Sequence, residues 1–99
     1  MKDNQDEFNV LREIKKKPQS SQRDLAKGLG LSLGKINYCL KSLKKKGHIK
    51  LKNFQNNKNK INYAYILTPR GLAIKTKLTV NFMKRKMKEY DELAKELKK

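Results

Sequence analysis

The chain has 99 residues, a size that suits one small domain and argues against a large enclosed pocket. Lys and Arg number 26 against 9 Asp and Glu, which gives a formal net charge of +17. This excess favours a polyanionic partner, with nucleic acid first and an anionic membrane surface second. Lys far outnumbers Arg, so a solvated surface or a bias toward Lys and Asn codons is an alternative source of part of the charge.

The single cysteine, Cys39, excludes an internal disulfide and fits a reducing compartment. The first residues, MKDNQDEF, are polar and partly acidic, unlike a secretory signal. No apolar run approaches the ~20 residues that a membrane-spanning helix needs. We therefore expect an intracellular, cytoplasmic protein with no membrane partner.

The first predicted helix covers Asn4 to Lys17. Its apolar face consists of residues at three-residue spacing, namely Phe8, Leu11 and Ile14. Acidic residues near its start, Asp6 and Glu7 among them, suit the positive end of a helix dipole. Pro18 ends the helix because proline lacks an amide hydrogen and disfavours helix in the residue before it.

A short second helix begins at Ser21. Ser21 and Asp24 resemble a capping box in which Asp replaces the usual Glu. Gly28 and Gly30 lie where this helix should end, and Gly30 is placed to reverse the chain in a left-handed conformation.

The third helix is capped by Ser32 and is predicted to run to about Lys46, with Gly47 as its stop. Its apolar stripe repeats at i, i+4 and i+7, at Ile36, Leu40 and Leu43. Cys39 flanks this stripe and is interpreted as a small buried hydrophobe. Cys39 and His48 lack the spacing of a zinc site, so no metal is expected. Two capped helices joined by a tight turn indicate a helix-turn-helix.

Two strands are predicted next, at His48 to Phe54 and Ile61 to Leu67, around the polar turn QNNKNK. Asparagine tolerates positive φ and allows this turn without glycine. A two-stranded hairpin is marginal alone, so we expect it to pack on the helices as a wing at about residues 49–67.

Thr68 and Pro69 start the last helix as N-cap and first helical residue. About 30 residues of helix would reach about 45 Å, farther than a small domain extends. An inner stripe, Ile74, Leu78 and Phe82, is predicted to pack on its own domain. A second stripe follows an a/d heptad pattern: Ala73, Thr76, Val80, Met83, Met87, Tyr90, Ala94 and Leu97.

We interpret this second stripe as a dimer seam, with ordinary core or a frayed tail as the alternative. The residues expected to hold two subunits together are Val80, Met83, Met87, Tyr90, Ala94 and Leu97. The predicted fold is mostly α with a small β-hairpin: a winged helix-turn-helix domain at residues 1–68 and a long C-terminal dimerisation helix at residues 69–99.

The second helix of a helix-turn-helix fits the DNA major groove, which here makes the helix at about 32–46 the recognition helix. Asn37 can bond adenine, Lys41 can reach guanine or phosphate, and Tyr38 can contact phosphate or a thymine methyl. The start of the preceding helix should meet phosphates, and the lysine-rich wing should add affinity more than discrimination. The full predicted DNA-binding set is Ser21, Gln22, Arg23, Ser32, Gly34, Lys35, Asn37, Tyr38, Lys41, Lys45, Lys52, Lys58 and Lys60.

Catalytic chemistry is not indicated. No Ser-His-Asp set, carboxylate pair or glycine-rich phosphate loop is recognisable, so neither catalytic residues nor a cofactor is predicted. We expect a binding protein and not an enzyme.

Three segments resemble the MarR-type winged-helix repressors: SQRDLAKGLGLSLGKINYCLKSLKKKGHIK, NFQNNKNKINYAYILTPRGL and KTKLTVNFMKRKMKEYDEL. The TPRG start and the LTVNFMKRKMKEY run resemble more narrowly the short members associated with extracellular polysaccharide (EPS) genes in bacteria. The resemblance spans about three quarters of the chain. It implies a homodimeric, sequence-specific transcriptional regulator, a repressor of polysaccharide genes, bound to the nucleoid when on DNA. Larger MarR proteins often bind small phenolic effectors, but this shorter chain has little room for that pocket.

Two other functions stay open. The first is a basic RNA- or ribosome-associated winged-helix module, against which stands the lack of aromatic stacking platforms outside the predicted core. The second is a protein-interaction adaptor that uses the long amphipathic helix and would show no salt-dependent DNA binding.

Overall fold

The computed structural model describes residues 2–55 and 61–98 of the chain. Within these residues the chain forms four helices and one antiparallel hairpin, which confirms the predicted fold class. In chain order the elements are α1 (Lys2–Lys16), α2 (Gln22–Leu29), α3 (Leu33–Lys45), β1 (Ile49–Gln55), β2 (Ile61–Leu67) and α4 (Pro69–Leu97).

α1 begins two residues before its predicted start and ends one residue before its predicted end. Lys17 and Pro18 follow, and Gln19 adopts the left-handed region with φ of 71°. The Ser20 hydroxyl donates a hydrogen bond of 2.7 Å to the Lys17 carbonyl, which satisfies one of the carbonyls left open at the helix end.

Both ends of α2 form as the sequence predicts. The Asp24 amide donates to the Ser21 hydroxyl at 3.1 Å, and the Ser21 amide donates to the Asp24 carboxylate at 3.0 Å. The pKa of the Asp24 carboxyl is lowered, first by the hydrogen bond from the Ser21 amide and then by the Ser21 hydroxyl, because hydrogen bonds to the carboxylate favour its charged form. At the other end Gly30 has φ of 67°, and the Leu31 amide donates back to Ala26 at 3.0 Å. The chain therefore reverses at Gly30 in a Schellman motif.

α3 has the same kind of boundaries. The Ser32 hydroxyl accepts from the Lys35 amide at 3.1 Å. After the helix, Gly47 has φ of 78°, and the His48 amide donates to the Leu43 carbonyl at 2.9 Å. The predicted helix is confirmed to within one residue at each end.

The core lies where α1, α2 and α3 meet under the base of the hairpin. Its buried members are Val10, Leu11, Ile14, Leu25, Ala26, Ile36, Cys39, Leu40, Leu43 and Ile49. Fully burying a Leu or Ile side chain stabilises a fold by about 1.5–3 kcal/mol. Cys39 is 1% exposed, which confirms its interpretation as a buried hydrophobe.

The hairpin pairs from Ile49 with Leu67 to Gln55 with Ile61. β1 starts and ends one residue later than predicted, while β2 has its predicted bounds. Within β2, Ala64 is buried whereas Tyr63 is 60% exposed. The reason is tertiary: β2 lies against α1, so the strand face that carries Ala64 is covered as well.

The start of α4 is tied to the segment between α3 and β1. Thr68 caps the helix, its hydroxyl accepting from the Gly71 amide at 3.0 Å, and Pro69 takes the first helical position as predicted. The Thr68 amide donates to the His48 carbonyl at 3.1 Å. A Cβ atom at Gly71 would overlap that same carbonyl. Glycine is therefore required here by close packing of backbone on backbone.

The 29 residues of α4 carry the helix well past the rest of the domain, so the molecule measures 65 Å by 25 Å by 25 Å. The predicted inner stripe does pack on its own domain. Ile74 lies against the core, and the ring of Phe82 lies 5.9 Å from that of Phe8 in α1. Among the residues described, no helix has both the length and the apolar composition needed to cross a bilayer.

The contact at Gly71 gives a test of this packing. Replacing Gly71 by Ala should lower the free energy of unfolding by about 1–3 kcal/mol, because backbone must move to admit the methyl group. Urea denaturation would measure the loss. A Gly71→Ala protein as stable as the wild type would show that α4 does not approach His48 this closely.

Candidate nucleic-acid interface

The exposed face of α3 is the centre of the candidate interface. Burial of Ile36, Leu40 and Leu43 against α1 and α2 turns the opposite side of the helix outward. The outward residues follow three- and four-residue spacing, which places them on one face: Gly34, Asn37, Tyr38, Lys41 and Lys45. Tyr38 is 56% exposed although it is aromatic. The structure thus brings these five predicted site residues together on one surface.

Gly34 is not required by the packing of its own chain. Among the described residues, apart from its chain neighbours and the nearby backbone of α3, a Cβ atom built there would have only the Ser32 hydroxyl oxygen within 4.0 Å. Its backbone φ does not lie in the left-handed region either. Alanine is intrinsically better than glycine in a helix. A glycine with open space around it, at the start of an exposed helix face, suits close approach by a ligand backbone.

Lys35 differs from the other predicted contacts on α3. Its ammonium lies 3.3 Å from the Asp6 carboxylate of α1 and 5.9 Å from the centre of the Tyr38 ring. The side chain is about one-third exposed. It is therefore engaged within the protein on the α1 side of α3, a pairing that no local sequence pattern indicates.

The start of α2 presents the remaining helix-turn-helix residues. Ser21 and Arg23 are exposed. Gln22 is half-buried, and its amide nitrogen donates to the Leu33 carbonyl at 3.4 Å. Gln22 thus joins the start of α2 to the start of α3, a structural role in addition to the predicted contact with DNA.

The described part of the wing carries Lys52, which is exposed as predicted, and Lys50, which lies on the same strand face. Lys58 and Lys60 lie outside the described residues. Sequence reasoning missed two further exposed side chains, Leu33 at the start of α3 and Tyr63 in β2. Of these two residues, only Leu33 could have been recognised from the sequence, because it is the first residue after the Ser32 cap. Tyr63 left no such signal, because its exposure depends on which face of the hairpin is covered.

The exposure of Tyr63 also bears on the RNA alternative. The argument against it from the sequence was the lack of aromatic stacking platforms outside the predicted core. Tyr38, already predicted on the outward face of α3, and Tyr63 are both more than half exposed, so β2 adds a second exposed aromatic ring.

His48 lies between the end of α3 and the start of α4. It is half-buried, and within the described part of the chain its Nδ1 atom has no hydrogen-bond partner. Burial, with the nearby charges of Lys46 and Arg70, lowers the pKa of His48. Beside it a cavity of about 220 Å³ is lined by residues of α1, α3 and α4. That volume is below the roughly 300–1,000 Å³ typical of ligand pockets.

A second surface lies on the outer half of α4. The predicted seam residues there are exposed, from 44% at Val80 to 88% at Leu97, with Met83, Met87 and Tyr90 between them. Ala94 is half-buried. Leu93 joins this apolar surface at 61% exposure. An apolar stripe of this length is unusual on the surface of a monomer.

The exposed face of α3 lies in a segment that matches a known family of domains. Residues 7–50, a little under half of the chain, match the family model of winged helix-turn-helix DNA-binding domains. This span holds α2, α3 and most of α1. A DNA-binding domain agrees with the expectation of a binding protein and not an enzyme. The comparison with curated protein sequences returned no match.

The whole fold is similar to solved structures of the MarR type. Staphylococcus aureus MarR in complex with salicylate and kanamycin is 17% identical with a TM-score of 0.71, over 87% of this chain and 56% of that one. Streptococcus pneumoniae FabT in complex with DNA is 23% identical with a TM-score of 0.61, over 87% and 58%. The adhesin competence repressor of Streptococcus pyogenes is 20% identical with a TM-score of 0.65, over 91% and 63%.

These similarities show that the chain has the MarR-type winged helix-turn-helix fold. The aligned region is a little more than half the length of the first of these structures.

Because there is open space at Gly34, a substitution there should affect folding stability and DNA binding differently. Gly34→Ala should leave the free energy of unfolding unchanged or raise it by up to about 1 kcal/mol. The same methyl group should weaken binding to a DNA duplex roughly tenfold, because it stands where the nucleic-acid backbone must come close. Thermal unfolding and a fluorescence titration with DNA measure the two effects. Unchanged DNA affinity would move the point of close approach away from Gly34.

Proposed function

We propose that this chain, which carries a winged helix-turn-helix domain, is a sequence-specific regulator of transcription that binds double-stranded DNA. The observation that carries the proposal is the exposed face of α3, with Gly34, Asn37, Tyr38 and Lys41 together on the second helix of the motif. The net charge of +17 supports it, since phosphate neutralisation supplies much of the affinity for DNA.

In this proposal α3 enters the major groove with its N-terminal half against the base edges. The Asn37 amide bonds adenine, Lys41 reaches guanine acceptors or a phosphate, and Tyr38 contacts a thymine methyl or a phosphate. Ser21 and Arg23 at the start of α2 meet the DNA backbone. The wing follows the backbone beside them and adds charge without the planar fork that arginine offers for base reading.

We propose further that two chains act together as a homodimer joined along α4. The exposed apolar seam on α4 supports this proposal. A domain with so small a core gains stability when a second subunit covers that seam. A two-fold dimer would bind a pseudo-palindromic operator with its recognition helices in successive major grooves, ~34 Å apart.

The biological role proposed is repression of polysaccharide genes in a bacterial cytoplasm, with the protein held on the nucleoid when bound. The likeness in fold to a structure described as a competence repressor supports repression. The polysaccharide link rests on the resemblance of the TPRG and LTVNFMKRKMKEY segments alone. Mapping the bound sites across the genome, together with the identity of the neighbouring genes, tests both parts. Bound sites with no relation to polysaccharide loci would remove that part.

The structure bears on whether a small-molecule effector could bind to one subunit. One of the similar structures holds salicylate. In this chain the cavity beside His48 is smaller than a usual ligand pocket. Within the described residues a single subunit thus offers limited room at that place, and we propose no effector.

The RNA-binding alternative is favoured by one observation, the exposure of Tyr38 and Tyr63, since stacking on aromatic side chains is common in RNA recognition. The helix-turn-helix argues for DNA, because the deep major groove of A-form RNA does not admit a helix. Competition between a DNA duplex and a structured RNA decides the question. Preferential retention of the RNA would replace the DNA proposal.

Base preference should depend on the recognition helix, and general affinity on the wing. Asn37→Ala and Tyr38→Ala should each lose about 1–3 kcal/mol of discrimination between a duplex selected from a random pool and a scrambled duplex. Lys58→Ala with Lys60→Ala should weaken both duplexes alike and reduce the salt slope by about one per lost phosphate contact. Lys52→Ala provides a third wing lysine for comparison. Altered base preference in the wing variants would contradict this division.

The dimer is tested at the two exposed methionines of the seam. Met83→Lys with Met87→Lys should give a monomer, because four lysines would face one another in an apolar interface. Light scattering at micromolar concentration measures the mass, and binding to the selected duplex should weaken in parallel. Lys84→Met, next to the seam, is the control and should stay dimeric. A wild-type protein that is itself monomeric would end the dimer proposal.

A further inference from the structure

Two adjacent acidic residues of α1 reach opposite ends of the recognition helix. The Asp6 carboxylate lies 3.3 Å from the ammonium of Lys35, in the first turn of α3. The Glu7 carboxylate lies 2.8 Å from the ammonium of Lys46, the residue that caps the end of α3. α1 therefore holds α3 by charge at both of its ends.

Glu7 is the more strongly held of the two carboxylates. It is only 8% exposed, and its second oxygen accepts a hydrogen bond of 3.3 Å from the Ser42 hydroxyl. A carboxylate this deeply buried needs such partners, because removing it from water is costly. Glu7 thus meets two residues in the last part of α3, one through each oxygen.

These polar contacts add what the apolar contacts between the same helices lack. Val10, Leu11 and Ile14 of α1 bury area against the core, but hydrophobic burial has no preferred direction. Charge-assisted hydrogen bonds do have a direction and a short optimal length. The two carboxylates consequently limit how far α3 can rotate or tilt on α1.

We propose that Asp6 and Glu7 are positioning residues that hold α3 in the orientation in which it binds DNA, with Glu7 the more important. This inference rests on the proposed function, since it takes α3 as the recognition helix. α1 also contacts α4 beside these residues, because the ring of Phe8 lies 5.9 Å from that of Phe82. A reading helix that sits about 1 Å too loosely loses much of its discrimination.

The effect of these carboxylates on net charge and their proposed positioning role predict opposite changes in DNA affinity when either residue is neutralised. Glu7→Gln and Asp6→Asn each remove one negative charge from a chain of net charge +17. By simple electrostatics each variant should bind any DNA more tightly. If the carboxylates position α3, each variant should instead lose affinity for its preferred sequence. The sign of the change therefore distinguishes the two accounts.

The probes are a duplex enriched by the wild-type protein from a random-sequence pool and a scrambled duplex of the same composition. Glu7→Gln should weaken binding to the enriched duplex at least roughly tenfold, with binding to the scrambled duplex equal or tighter. Asp6→Asn should show the same pattern with a smaller loss. Ser42→Ala, which removes only the hydroxyl contact, should lie between the wild type and Glu7→Gln.

The matched control is Glu13→Gln. Glu13 is also a carboxylate of α1, but it pairs with Lys17 one turn along its own helix at 3.2 Å. The substitution adds the same unit of charge without removing either contact to α3. It should keep the wild-type preference for the enriched duplex. Equal discrimination by Glu7→Gln and Glu13→Gln would overturn the inference.

Amide hydrogen exchange gives a readout that needs no DNA. Glu7→Gln should exchange faster than Glu13→Gln at the end of α3, around Ser42 to Lys46, and Asp6→Asn should do so around Lys35. Unchanged exchange in both regions would also overturn the inference. If the wild-type protein enriches no sequence, the proposed function fails and the exchange experiment still decides the role of the carboxylates. If Glu7→Gln does not fold, the more exposed pair at Asp6 decides it.

Discussion

Burial of one face of α3 is the constraint on which the rest of this structure depends. Ile36, Leu40 and Leu43 can leave water only against α1 and α2, and a helix that turns 100° per residue must then present its opposite side. The rotation of α3 about its own axis therefore determines both its buried face and its exposed face. The proposed reading surface at Asn37 and Tyr38 follows directly from how the core is packed.

A second constraint fixes where the long helix leaves the domain. Thr68 and Gly71 lie against the backbone of His48, two residues after the C-cap of α3, so the start of α4 is fixed close to the end of α3. Its inner stripe then packs on the domain, and its outer half extends beyond it. In a dimer joined along α4, the position at which α4 is attached would set the distance between the α3 helices of the two subunits.

The elements that sequence reasoning predicted well are those whose causes are local. The capping box at Ser21, the left-handed glycines at positions 30 and 47 and the Thr68 cap each depend on residues within one helical turn. Which face of β2 is covered could not be predicted in this way, because its neighbour α1 lies some fifty residues earlier in the chain. Ala64 is buried and Tyr63 is exposed because one face of the strand is covered.

The amino-acid sequence by itself determined the order of the helices, their ends and the face of α3 that is turned outward, because caps and periodicity act over short distances. It also explained Asp6 and Glu7 only as acids at a helix N-terminus. Their partners lie 29 and 39 residues away, at Lys35 and Lys46, and only the tertiary structure could bring them together. Packing between segments distant in sequence decided these contacts between α1 and α3.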